Sequence, residues 1–344
     1  MDRAADGSPG ADEPPVRIVL NPESGSADHA RRVRGVAAER GYGVVETDSA
    51  ADARRATRAA IDDGVGTLVP CGGDGTVHTV VQALFEADAL DAVTLGVLPA
   101  GTANLFARNL DVGTLDAGFD ALDAGRRRRI DVGRVTGADA GSAGEGTREP
   151  DPPERGRPAS ARAVPEGSDG EAFVTSFVAG FPAVASGAAG SGLKARLGTL
   201  AFAVSAVGEA TAYEPHPVEL ALETPTGERT WAGDALCLLA GNSRRFTGEG
   251  GQGHVEDGLL EVAVVESLAP LEALREAAVH RLFDRGTEGV ARFDAAAAAV
   301  TFLDGPVSVS LDGELSTRES FVLSAVPAAL SVLVGPDYDP DPAT

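Results

Sequence analysis

The sequence predicts an α/β protein: an N-terminal parallel-sheet, Rossmann-like domain followed by a second, mostly antiparallel β-rich domain. Three observations predict it. From residue 16 to about 110, short apolar runs alternate with helical patterns, which marks repeated βα units. Three of those runs end in polar or glycine-rich turns: "NPESGSA" (21–27), "GGDGT" (72–76) and "PAGTAN" (99–104). Beyond residue 170 the pattern changes to short strands with hairpin-like connections such as "TPTGE" and "DG".

Taken in order, "VRIVLN" (16–21) predicts a buried strand and 27–40 a helix that ends before Gly41. "YGVVET" (42–47) predicts the next strand, 50–63 a helix, and "GTLVPC" (66–71) the third strand. The helix after the glycine turn sets Val77, Val80, Val81, Leu84 and Phe85 on one core-facing stripe. "TLGVLP" (94–99) opens a fourth unit with a helix near 103–110. "RRRR" (126–129) is expected to be a solvated charge run at a helix end.

Residues 137–170 hold no aromatic and almost no large aliphatic side chain, so a looped or disordered insertion is expected there. Further strands are expected at 172–178, 217–223, 234–240, 259–265, 299–303, 306–312 and 320–325, with helices at 192–211 and 270–283. Trp231 and the alanine-rich 295–299 are expected to serve packing. The domain boundaries that follow are 1–15 as a disordered start, 16–130, 131–325, and 326–344 as a C-terminal segment returning toward the first domain.

Composition narrows the partners. The net charge is −23, from 52 acidic and 29 basic residues, which opposes a nucleic-acid partner or a polybasic lipid-docking patch. A single basic residue, Lys194, is lysine; the rest are arginine. An acidic, lysine-poor surface suits molar salt, where carboxylate repulsion is screened, so a halophile is the expected source. Cys71 and Cys237 lie far apart with no paired spacing, and five scattered histidines, His78 among them, show no metal pattern. Neither a signal peptide nor a run of about 18 apolar residues is present, which predicts a cytoplasmic protein without a transmembrane segment.

In a parallel sheet the three turns gather at the carboxyl edge of the strands, where ligands bind. A helix N-terminus with glycine approach attracts phosphate, and Asn21, Thr76, Thr102 and Asn104 add side-chain donors. No GxxxxGK[ST] occurs, so neutralisation falls to backbone dipoles and a metal, with acidic residues as its candidate ligands. In "VSVSLDGE", Asp312 and Glu314 flank Gly313; they form either a hairpin turn or, if the strand continues, a carboxylate pair on one face.

"GGDGT", "GVLPAGTANLFAR" and "NPESG" together resemble the diacylglycerol kinase catalytic-domain superfamily, which includes sphingosine and ceramide kinases and the soluble prokaryotic lipid kinases. The resemblance runs from 16 to 334 apart from the insertion. It implies an ATP- and Mg²⁺-dependent kinase acting on a lipid hydroxyl, diacylglycerol-like or an archaeal ether lipid reached at the membrane surface. It also implies a nucleotide cleft between the two domains, and allows a homodimer. Carried over, Asn21, Thr47, Gly72, Gly73, Asp74, Gly75, Thr76, Gly101, Thr102 and Asn104 contact the nucleotide. Asp74, Asp131 and Glu314 serve the metal, and Asp312 and Glu314 supply the acid/base carboxylates.

The chain departs from the family pattern at Thr175, where Asn is usual, at Phe202, where Tyr is usual, and at "GQGHVE" before Asp257. Two other readings stand beside the lipid kinase. One is an NAD kinase-like phosphotransferase, which shares GGDGT. The other is a nucleotide-binding regulator without catalysis.

Overall fold

The computed structural model describes residues 15–25, 28–137, 170–180, 214–245, 251–266 and 289–342. The expectations for the N-terminus, the insertion, the helices at 192–211 and 270–283, Lys194 and Phe202 lie outside them. The chain divides into two compact units: Met1–Arg129 with Leu330–Tyr338, and Ile130–Ala329 with Asp339–Thr344.

The first unit runs β1 (Val16–Leu20), α1 (Asp28–Arg40), β2 (Gly43–Glu46), α2 (Ala50–Asp62), β3 (Thr67–Gly72), α3 (Asp74–Glu86), β4 (Thr94–Leu95), β5 (Leu98–Pro99), α4 (Leu105–Asn109) and α5 (Leu115–Ala124). Its strands are parallel in the order β2-β1-β3-β4. The chain goes one way from β1 to β2, then crosses back to β3, so the topological switch point lies between the carboxyl ends of β1 and β3.

All six residues of β3 are buried, as a central strand covered on both faces requires. The stripe of α3 is buried as the spacing predicts, from Val77 at 2% exposure to Phe85 at 4%. Ser49 caps α2 by accepting from the Asp52 N–H (3.2 Å), and Thr114 caps α5 in the same way from Ala117 (3.2 Å).

The single strand expected at 94–99 is two. The register against β3 is the same on both sides of the break, with Leu68 opposite Leu95 and Cys71 opposite Leu98. Leu68 O accepts from the Gly96 N–H at 2.9 Å. Two residues on, Pro70 faces the same side and has no N–H to give, so the ladder lapses there.

The second unit holds β6 (Arg127–Thr136, starting in the first unit), β7 (Glu171–Phe173), β8 (Ser176–Gly180), β9 (His216–Thr224), β10 (Gly227–Ala235), β11 (Cys237–Gly241), β12 (Arg244–Arg245), β13 (Gly251–Gln252), β14 (Leu260–Val265), β15 (Val290–Ala295), β16 (Ala297–Phe302), β17 (Val307–Leu311), β18 (Glu314–Arg318) and β19 (Ser320–Leu333). One sheet orders β15-β14-β11-β8-β17-β18, antiparallel throughout; the other carries β10-β9-β16-β19. Phe173, Phe177, Phe302 and Phe321 share the core of this unit, with the Phe177 and Phe321 rings 4.9 Å apart. Trp231 packs against that core and Ala297 to Ala299 are buried, so both serve packing as expected.

The tail of β19 continues into the first unit, where Ser331 and Val332 pair in parallel with Thr94 and Leu95. The "RRRR" run follows α5 and is largely exposed, as expected; in addition, Arg127 to Arg129 open β6, and Arg126 Nη1 donates to Gly335 O (2.9 Å) and Pro336 O (2.7 Å). Both cysteines are free and buried, and burial pushes each thiol up to about 12, so neither is a nucleophile near neutral pH.

Candidate active site

In the first unit the three turns meet at the switch point. Asn21 N–H donates to Cys71 O (2.9 Å), and Ala100 N–H to Gly72 O (2.8 Å). Gly25, at φ +59, lies so close to the β5 turn that a Cβ there would sit 2.1 Å from Ala100 O. Gly101 abuts Gly73: a Cβ on Gly101 would lie 2.4 Å from Gly73 Cα. These glycines permit backbone to cross backbone.

Gly75 is different. It is exposed, and nothing stands within 4 Å of where its Cβ would be. Here α3 begins, with Gly73 as its N-cap and no side chain capping it. The N-terminal turn of the helix thus presents backbone N–H groups and positive dipole beside an open glycine.

Several predicted ligands shape these turns. Asn104 donates from Nδ2 to Gly101 O (2.9 Å) and accepts on Oδ1 from Gly101 N–H (3.0 Å), at a left-handed φ of 49°. Asn21 Oδ1 accepts from Glu23 N–H (3.0 Å), and the buried Thr47 hydroxyl donates to Leu20 O (3.3 Å). Asp74 Oδ1 accepts from Phe106 N–H (3.2 Å), which links α3 to α4. Thr102 is exposed, and Thr76 Oγ1 covers Gly72 closely enough that a Cβ there would come within 2.2 Å of it.

In the second unit, Asp312 and Gly313 form a two-residue hairpin between β17 and β18, with Leu311 opposite Glu314. The strand does not continue through Asp312, so of the two alternatives the hairpin turn holds, made by the turn-forming Asp-Gly pair. Asp312, at φ +48, accepts from three consecutive backbone N–H groups: Val174 on Oδ2 (2.8 Å), and Thr175 (2.8 Å) and Ser176 (2.9 Å) on Oδ1. Glu314 is exposed.

Asp131 is 1% exposed, and both its oxygens are engaged, by Gly258 N–H (2.6 Å) and Ala328 N–H (2.7 Å). Burial raises its carboxyl above the ordinary range. The two N–H donors pull the other way, and Asp257 and Glu256 push it further up. The folded state therefore binds more protons than the unfolded one between the ordinary carboxylate value and the raised one.

Stability from this group falls as pH rises through that window and returns on acidification. The thermal midpoint is expected to rise from neutral toward mildly acidic pH, and to rise less in Asp131→Asn. Asp257, also raised chiefly by burial, adds in the same sense. Calorimetry across pH checks this; identical profiles for the two proteins would contradict it.

Among the described residues no group of three or more His, Cys, Asp or Glu is placed to hold a metal. Sequence reading missed Asn242, buried at 2%, whose amide spans Asp131 O (3.0 Å) and Val174 O (3.1 Å). A single Asn just past a strand carries no local signal of such a role.

A model of the diacylglycerol kinase catalytic domain matches residues 15–135, and one of the YegS C-terminal NAD kinase beta sandwich-like domain matches 175–334. A "Probable lipid kinase YegS-like" of Xanthomonas euvesicatoria is 30% identical over 327 residues, 91% of this chain and 94% of the relative. The chain belongs to the YegS-like lipid kinases, within the diacylglycerol kinase superfamily.

A second YegS-like relative, the "Probable lipid kinase YegS" of Escherichia fergusonii, is 26% identical over 337 residues, 95% of this chain and 98% of its own. For the fold alone, a solved Bacillus anthracis str. Sterne structure superposes with a TM-score of 0.71 at 18% identity, covering 94% of this chain and 96% of that one. Another, of a diacylglycerol kinase from the same strain, gives 0.64 at 16%, covering 94% and 98%. Like its relatives, this YegS-like chain is a lipid kinase. Among its described residues no helix is long and apolar enough to cross a membrane.

Proposed function

We propose that this lipid kinase transfers the γ-phosphoryl group of ATP, with Mg²⁺, to a hydroxyl of a diacylglycerol-like or archaeal ether lipid. The observation that carries the reading is the uncapped N-terminus of α3 beside the open Gly75, where the turns after β1, β3 and β5 meet. That arrangement fits a polyphosphate: backbone donors converge, and space remains where a side chain would stand. Asn21, Thr47 and Asn104 hold the turns in shape, while Thr76 and Thr102 add hydroxyls at their rims.

The carboxylates fit a Mg²⁺ held mainly by phosphate and water rather than by a protein cage. Of the candidate ligands, Asp74 stands at the start of α3 in the first unit and Glu314 is exposed in the second, while Asp131, buried with both oxygens accepting backbone N–H groups, supports the backbone around it. When bound, Mg²⁺ supplies neutralisation of the phosphate charge.

Asp312 is the proton acceptor in this reading. Three N–H donors fix the plane of its carboxylate, and a fixed orientation is what taking a proton from an acceptor hydroxyl demands. The NAD kinase-like reading has less support at the start of α3, where Val77 and His78, which follow "GGDGT", are buried at 2% and 7% and so serve packing.

The lipid is met at a membrane surface by a cytoplasmic enzyme working in molar salt. The ion pairs of the first unit, such as the bidentate Arg34–Glu46 pair (2.6 and 2.9 Å), are exposed and screened by solvent and salt, so they add little. Net repulsion among 52 acidic residues outweighs them as the Debye length grows from about 3 Å at 1 M to about 10 Å at 0.1 M. The thermal midpoint is therefore expected to fall as KCl drops below molar, as circular dichroism would show; a midpoint indifferent to salt would contradict it.

The activity is tested with labelled ATP and Mg²⁺ in high salt against dispersed diacylglycerol, archaeal diether lipid, sphingosine and NAD. Label on a glycerolipid hydroxyl supports the reading. Label on NAD alone overturns it, and label on none leaves the regulator.

A further inference from the structure

We propose that Asn242 is a positioning residue for Asp312, acting through the backbone of Val174–Ser176; the inference rests on Asp312 being the proton acceptor. The link is continuous in hydrogen bonds. Between β7 and β8 the chain bends at Val174 and Thr175, so that three successive N–H groups point at one carboxylate, an anion nest made by the protein for its own side chain. Asp312 N–H closes the circuit by donating to Ser176 O (2.9 Å).

A bend that gathers N–H groups on one side turns carbonyls to the other, and those are buried. The residues that leave β11 supply their partners. Asn242 N–H donates to Thr175 O (3.0 Å) and Ser243 N–H to Val174 O (3.1 Å). Asn242 Nδ2 adds a second donor to Val174 O (3.1 Å) and reaches Asp131 O (3.0 Å). Both side-chain partners are carbonyl oxygens, so the amide can face only one way.

Its Oδ1 is then left buried without a hydrogen-bond partner among the described residues. An unpaired buried acceptor is unfavourable, and an apolar side chain would avoid it. Asparagine here supplies two donors that fix the nest at the cost of one idle acceptor, an arrangement that favours geometry over stability.

Without the amide, the nest relaxes and the carboxylate loses its fixed plane. A misplacement of about 1 Å in a reacting group can lower turnover by about 10²-fold. The test is a double-mutant cycle in the lipid kinase assay, with Asn242→Ala, Asp312→Asn and the double variant. Asn242→Ala is expected to lower kcat by about 10- to 100-fold, with the KM for ATP within about twofold of wild type. The double variant is expected to be no slower than Asp312→Asn alone, within about twofold, because two residues acting through one group do not add.

Should Asn242→Ala lose cooperative unfolding, Asn242→Ser keeps a donor on a shorter arm and is expected to show a smaller loss with the same non-additivity. Losses that multiply in the double variant, or an unchanged kcat in Asn242→Ala, overturn the positioning role while leaving Asp312 as proton acceptor. Full turnover in Asp312→Asn overturns the role of Asp312 and the proposal with it.

Discussion

Asp312→Asn is expected to slow phosphoryl transfer by about 10²- to 10⁴-fold, the range for loss of a general base, while ATP affinity stays within about twofold. The substitution keeps shape and removes the charge that accepts a proton. It also turns an NH₂ group toward the Val174 N–H when the amide oxygen is kept for the Thr175 and Ser176 N–H groups, so a donor opposes a donor and about 1–3 kcal/mol of local stability is lost. Transfer, calorimetric ATP titration and the thermal midpoint, measured together, separate the two effects. Glu314→Gln, at an exposed position, is expected to cost less in transfer and almost nothing in stability. A folded Asp312→Asn protein with full turnover would reduce residues 312–314 to a hairpin.

Gly75→Val is expected to leave the fold intact and weaken ATP binding by at least about 10- to 100-fold, or roughly 1.4–2.8 kcal/mol. The valine meets open space in the protein itself, since nothing lies within 4 Å of the added Cβ. In this account that space belongs to the phosphates. Gly101→Ala makes the contrast, because its Cβ would lie 2.4 Å from Gly73 Cα and backbone cannot step aside as a side chain can. That variant is expected to lower the thermal midpoint, with an overpacking cost of about 1–3 kcal/mol, and to lose binding as a consequence. Unchanged ATP affinity in a folded Gly75→Val protein would move the nucleotide elsewhere.

The first unit was legible because its central strand β3 is covered on both faces and so appears as a bounded apolar run, and because α3 carries an unbroken buried stripe. What was not legible lacked such periodicity. β10, "GERTWAGDA", is exposed over most of its length, and β15 and β18 interleave charged with apolar or small residues, so none of the three shows an unbroken apolar face. α5, "LDAGFDALDA", hides behind its glycine and three aspartates. The break between β4 and β5 depends on Pro70 in a neighbouring strand, a partner that no local window includes.

The same limit governs the site. Glycine-rich turns announce themselves, but whether Asn104 binds a ligand or braces Gly101 depends on where its amide points. The fixed plane of Asp312 and the locked oxygens of Asp131 come from N–H groups 136 to 138 and 127 to 197 residues away. No spacing rule reaches that far.

Amide hydrogen exchange with and without ATP and Mg²⁺ tests most directly whether the three turns of the first unit hold the nucleotide. Slowed exchange is expected at residues 21–25, 72–76 and 100–104, strongest at the start of α3 and absent from Gly75→Val. Protection confined to other segments, or none at these turns at saturating ATP, would contradict the account.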